Sequence, residues 1–199
     1  MRPRKRHIKK LAEQLTELQT THPEAIVELW AEDEHRLGLK PILRRVWAKR
    51  GQRPVVLVRP RYQWSYLAGF VRPTTGQTFW LLLPTVTVAA FSRALTEFAE
   101  HVGAGPRKHI LLVLDQAGWH LSRKVALPEG LHFVPLPPYS PELQPAERLW
   151  PLSDTPLVNR VFPDLAALEE VQVARCQQLR QQPERIRAHT GFHWWPDDR

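Results

Sequence analysis

Apolar positions repeat along the chain with two periods. In residues 8–20 (IKKLAEQLTELQT), Ile8, Leu11, Leu15 and Leu18 fall on one side of a helical wheel. That spacing predicts a short amphipathic helix behind the N-terminal residues. Residues 88–102 place Phe91, Leu95 and Phe98 in the same way, and Gly103 and Gly105 end the helix. Other segments read as strands. Residues 25–31 (AIVELWA) predict a short buried strand running into Glu32, Asp33 and Glu34, and residues 53–59 a further extended segment. Residues 64–72 and 77–83 flank Pro73-Thr74-Thr75-Gly76, a hairpin signal. Residues 109–114 (HILLVL) are apolar on both faces, as in the central strand of a covered sheet. A short helix at 121–127 and a strand at 131–136 follow. Prolines 135, 137, 138, 141 and 145 then predict a stiff, non-regular loop. One helix is expected to start near Pro145 and a longer one to cover 164–182. This order describes an α/β fold, a mixed sheet with helices on its faces.

Composition narrows the class. With 199 residues and 43% hydrophobic content, the chain is long enough for one real core and too apolar to be disordered. Its one cysteine, Cys176, excludes an internal disulfide and a thiolate metal cluster. The longest apolar stretch, 79–91, is interrupted by Pro84, Thr85 and Thr87, too short to span a bilayer. The N-terminus lacks the apolar run of a signal peptide, so a cytoplasmic, membrane-free protein is expected. The formal charge is +8, which points to a polyanion and first to nucleic acid. That excess is uneven. Residues 2–10 hold six basic side chains and no acid, and no Asp or Glu occurs between His35 and Thr96. The second stretch holds Arg36, Lys40, Arg44, Arg45, Lys49, Arg50 and Arg53, with Trp47, Tyr62, Trp64 and Tyr66 interleaved. It reads either as solvated loop and strand faces or as a surface tracking DNA phosphates.

Three carboxylates carry the candidate chemistry. Asp33 follows the first strand, Asp115 the central one, and Glu147 sits in the first turn after the proline loop. Ligand sites in α/β sheets lie beyond the carboxyl ends of strands, where parallel neighbours would bring Asp33 and Asp115 together. Three facing carboxylates call for a cation, and Mg2+ or Mn2+ prefers such oxygen ligands. Each acid also has a plainer reading. Asp33 can be a turn residue, with Glu32 and Glu34 competing for its role, although strand alternation sends both of those to the other side. Asp115 can close an Asx turn. With Gln144 as cap and Pro145 first in the helix, Glu147 stands where Glu is favoured for capping alone.

Three strings decide between these readings: EDEHRLGL at 32–39, LDQAGWH at 114–120 and LPPYSPELQPAERLW at 136–150. In this order they resemble the DDE transposases of bacterial insertion sequences in the mariner-like superfamily. WAKRGQRP at 47–54, GFVRPTTG at 69–76 and the FHWW at 192–195 extend the likeness. The resemblance implies an RNase H-like core, a five-stranded mixed sheet with helices on both faces, and a catalytic site holding two Mg2+ or Mn2+ ions. It assigns Asp33, Asp115 and Glu147 as the catalytic, metal-binding triad. It implies double-stranded DNA as partner, both element ends and target, with cleavage and strand transfer as the reaction and a homodimer as the working form on DNA. His120 is read as bonding a phosphate or orienting a carboxylate, and Arg36 and Arg148 as holding phosphate or pairing with Asp33 and Glu147, so all three join the other basic residues as candidate DNA contacts. Trp119 and Trp150 flank core elements and are read as packing residues.

Two departures from the family pattern stand out. Residues 1–22 are expected to be a basic arm and linker helix and 23–199 the catalytic domain, with the helix-turn-helix region absent; the chain then reads as the second of two reading frames with that segment separately encoded, as a fragment, or as a catalytic domain alone. Pro151, Ser153, Asp154 and Pro156 are expected to break the helix after Glu147 early. The alternatives are an inactive DNA-binding remnant or regulator, and a host nuclease of the same fold.

Overall fold

The computed structural model describes residues 3–55 and 61–198, with side chains from His7 onward. Five strands form one mixed sheet in the order β3-β2-β1-β4-β5. These are β1 (Ile26–Gly38), β2 (Trp64–Arg72), β3 (Gln77–Leu83), β4 (Lys108–Leu114) and β5 (Leu131–Pro135). β2 pairs antiparallel with β1 and with β3, whereas β4 is parallel to β1 and to β5. The helices are α1 (Pro3–Thr21), α2 (Val88–Val102), α3 (Trp150–Ser153), α4 (Leu165–Arg180) and α5 (Pro183–Thr190).

Strand alternation divides the core in two. Trp30, Phe70, Ile110 and Leu112 meet Phe91 and Phe98 of α2 on one face. Leu29, Ala31, Leu67, Leu111 and Val113 meet the opposite layer, which holds Leu11 and Leu15 of α1, Trp150 of α3, Leu168 of α4 and Ile186 of α5. The hairpin and α2 form as the sequence predicts. Thr87 caps α2 through Oγ1, which accepts from the Ala90 backbone, and Gly103 ends it in a left-handed conformation.

Several elements differ from the sequence reading. α1 begins at Pro3, so the basic arm and the amphipathic helix are one helix in the described residues. β1 does not stop at Ala31. Its polar continuation stays paired to β2 from Ala31↔Val71 to Gly38↔Trp64, which places Asp33 inside the strand. Residues 121–127 form no helix, because their amides bond elsewhere. Lys124 donates to Ser122 Oγ and Ala126 to Ser92 Oγ on α2. The helix expected at Pro145 is a 3-10 turn, Ala146–Leu149, running into the four-residue α3, with Asp154 as its end. That early break agrees with the proline spacing. The segment expected at 164–182 stops at Arg180, and Pro183 opens α5. Of the extended segment expected at 53–59, residues 56–59 lie outside the described residues and 53–55 adopt no regular structure.

Two attachments shape the periphery. The β1–β2 connection is docked at Asn159, whose amide donates to Ile42 O and whose side chain exchanges hydrogen bonds with the Arg44 backbone. Near the end of the chain, Asp198 is buried. Its carboxylate accepts from the Leu29 amide at 2.7 Å, Arg72 Nε at 2.9 Å and Thr74 Oγ1 at 2.6 Å. This side chain thus satisfies a β1 amide just beyond the end of the β1–β2 ladder. No helix among the described residues is long and apolar enough to cross a membrane.

Candidate active site

The register of the parallel pair β1–β4 sets the site. Ala31 lies opposite Val113, so two further positions bring Asp33 level with Asp115, one residue past the end of β4. Both belong to the face that packs against α3, as the odd-numbered parity requires. Glu147 arrives on the 3-10 turn, which Gln144 ties to β1: its Nε2 donates to the Glu32 carbonyl at 2.8 Å. Asp33, Asp115 and Glu147 line one cleft of about 430 Å³, together with Gln116 and the proline loop from Pro137 to Pro141.

Each aspartate has one oxygen engaged by the protein. The Trp150 indole N–H donates to Asp33 Oδ2 at 3.0 Å. Trp150 reaches it because Gly69, paired directly with Asp33 on β2, has no side chain; a Cβ there would stand 2.8 Å from the indole. His35, stacked on Trp150, bonds Asp154 at 2.9 Å and so joins β1 to the end of α3. Asp115 Oδ1 accepts from the Ala117 amide at 2.8 Å and meets His120 Nδ1 at 2.7 Å.

The charges follow from these surroundings. Burial, with the negative charge of Glu147 adding to it, pushes Asp33 up to about 7. Burial also raises Glu147, with His35 working against the shift and Asp115 adding to it. The hydrogen bond from His120 holds Asp115 below the usual carboxylate range despite its partial burial.

The other side of β1 carries a second cluster. Glu32, Glu34 and His120 place ligand-type atoms within 4.8 Å of one another. His120 Nε2 faces Glu34 at 3.1 Å, and the Trp119 indole donates to the same carboxylate. Burial opposes charge on His120, but its bonds to Asp115 and Glu34 and the charge of Glu32 outweigh it and push the imidazole up to about 11. Burial and Glu34 hold Glu32 well above its ordinary value, with His120 opposing. The arrangement is an imidazolium held between Glu34 behind it and Asp115 in front.

The candidate DNA contacts divide accordingly. His120 is 1% exposed with both ring nitrogens occupied, which leaves neither for a phosphate. Arg148 lies over the Phe192 ring and Arg36 over Trp64, rather than against Asp33 or Glu147. Arg44 is committed in part to Asp154 and Pro151 O. Lys40, Arg45, Lys49, Arg50 and Arg53 are exposed on the β1–β2 connection. Sequence reasoning missed the donor roles of Trp119 and Trp150. Their signal was the Glu-Asp-Glu alternation, which sends Asp33 to one side of β1 and Glu32 and Glu34 to the other, and a Trp three residues after Glu147.

Residues 28–169 match the family described as DDE superfamily endonuclease. The chain belongs to the DDE superfamily endonucleases. A curated relative within reach is the uncharacterized protein y4pE/y4sA of Sinorhizobium fredii (strain NBRC 101917 / NGR234), 36% identical over 133 residues, which are 66% of this chain and 96% of that one. Among solved structures, this DDE endonuclease is similar to a pre-cleavage Mos1 transpososome, with a TM-score of 0.56 and 16% identity over 94% of this chain and 62% of that one. It is also similar to the mariner Mos1 paired end complex with Mg, with a TM-score of 0.51 and 17% identity over 94% and 63% of the two chains. The chain spans less than two thirds of those solved chains. Their likeness shows the RNase H-like fold of the endonuclease.

Proposed function

We propose that this DDE endonuclease is the catalytic domain of a transposase, cutting DNA at element ends and joining the freed 3′-hydroxyl to target DNA. The observation that carries the reading is the meeting of Asp33, Asp115 and Glu147 in one cleft, each delivered by a different element. The donor set suits a hard divalent cation. It is all carboxylate, Asp33 is pushed up to about 7 by burial and by Glu147, and one oxygen on each aspartate is engaged by the protein. Asp33, Asp115 and Glu147 would hold Mg2+ or Mn2+, two ions on this reading. When bound, they would lower the pKa of the attacking water or 3′-hydroxyl and stabilise the departing oxygen. Trp150 fixes Asp33, while His120 and the Ala117 amide fix Asp115, so the carboxylates are set before DNA arrives. The exposed cations of the β1–β2 connection would track the phosphates.

The finer assignments belong to the same reading. Residues 1–22 serve as arm and linker and 23–199 as the catalytic domain; two copies act on paired ends in the cytoplasm, and a separately encoded helix-turn-helix segment reads the end sequence. A Mos1 transposase paired-end complex with left transposon end, similar in fold, supports action on paired ends.

The test is a nicking assay on duplex DNA with Mg2+ or Mn2+. Nicking is expected from the wild type and none from Asp115→Ala, which should still bind DNA. Equal nicking by that variant would remove the metal-site assignment.

A further inference from the structure

Tyr139 stands on the rim of the catalytic cleft with its side chain bare: it is 100% exposed. Its φ of 54° is left-handed, a conformation that crowds a Cβ against the neighbouring carbonyl oxygen. The loop around it is not loose. On one side, Leu136 donates its amide to Leu114 O at 2.8 Å and accepts from Gln116 Nε2 at 2.7 Å. On the other, the Leu143 amide bonds Ser140 O, and Gln144 ties the chain to β1. Pro137, Pro138 and Pro141 stiffen what lies between. The chain thus maintains a strained turn that holds a large ring in water, beside the carboxylates and without a packing partner. Strain kept at such a place marks a site that acts on a ligand.

We propose that Tyr139 stacks on an unpaired DNA base next to the scissile phosphate. This rests on the DNA-cleaving reading of the same cleft. A base inside a duplex has both faces covered by its neighbours, so a bare ring fits only a base at a strand end or one drawn out of the stack. The prolines beside Tyr139 add an apolar wall, while the cleft floor is left to the phosphate. Such stacking is insensitive to base identity, because every base presents a π-face. Tyr139 would therefore favour DNA that is frayed, nicked or mismatched at the cleavage position.

The experiment uses the whole chain with Ca2+ in place of Mg2+, and duplexes carrying one 5-iodouracil at successive positions around the nick. Irradiation is expected to cross-link a single position to Tyr139. Tyr139→Phe should keep both the cross-link and the affinity, within about twofold. Tyr139→Leu keeps an apolar side chain but no stacking face; it should lose the cross-link and about tenfold in affinity for DNA mismatched at that position. Its melting temperature should match the wild type, since the ring contacts no core. An equal affinity for mismatched DNA in Tyr139→Leu, or a cross-link that maps elsewhere, would overturn the proposal. Wild-type nicking with Mg2+ separates the two layers: nicking with no Tyr139 cross-link overturns stacking alone, and a cross-link without nicking upholds stacking while removing cleavage.

Discussion

At the scale of single residues, the site depends on one donor and one missing side chain. Trp150 presents its N–H to Asp33 only because Gly69 leaves room for the ring. Trp150→Phe retains the bulk and removes the donor. A hydrogen bond to a charged group contributes about 1.5–3 kcal/mol, so nicking should fall by about tenfold or more while the thermal midpoint barely moves. Unchanged nicking would show that Asp33 needs no such support. Asp33 itself makes the metal-free protein pH-dependent. Folded, it keeps its proton up to about 7; unfolded, it releases it near 3.8. The folded state therefore binds more protons between those values, and stability falls as pH rises through that window. Asp33→Asn should raise the melting temperature of metal-free protein at pH 8 and scarcely at pH 4, by about 2–4 °C for each kcal/mol recovered. Mg2+ should stabilise the wild type at pH 8 but not this variant. An equal gain at both pH values would remove Asp33 as the source. Strand parity could set Asp33 apart from Glu32 and Glu34 beforehand, while the choice of the three acids as a triad rests on the family resemblance. The tryptophan donors could not, since an indole in an apolar setting reads as packing until its N–H is seen to have a partner.

At the scale of elements, the hairpin, α2 and β4 were legible because their punctuation is local: Pro73 and Gly76, Thr87 and Gly103, and an uninterrupted apolar run. β1 was read short because its second half is polar on both sides. Those side chains serve a cleft in front and an imidazolium behind, so pairing with β2, not burial of apolar groups, carries the strand onward. The stretch at 121–127 misled in the opposite sense, since the Lys124 and Ala126 amides are satisfied by serine hydroxyls. Long-range docking was the least legible. Gly76, with φ of 77°, abuts α5, and a Cβ there would lie 1.9 Å from the Pro183 carbonyl. Gly76→Ala should destabilise the fold by about 2–4 kcal/mol, from backbone strain together with separation of the hairpin from α5. Chemical denaturation measures it, and a loss under about 1 kcal/mol would mean the contact yields freely.

At the scale of the molecule, charge is partitioned between surface and cleft. Asp33, Asp115 and Glu147 gather in the cleft, while Lys40, Arg45, Lys49, Arg50 and Arg53 project from the β1–β2 connection into solvent. DNA affinity should fall steeply with salt, and each phosphate contact removed should lower the slope of log affinity against log salt by about 0.9. Replacing Lys49, Arg50 and Arg53 together by Gln tests this. An unaltered slope would move the phosphate track elsewhere on the protein.

The Asp198 carboxylate imposes an order on synthesis. Leu29, in the middle strand, is translated early, yet its amide finds this partner only when a residue 169 positions later has been made. Until then Arg72 and Thr74 also lack this acceptor. The β1–β2 junction of the sheet therefore waits for the segment that carries Asp198.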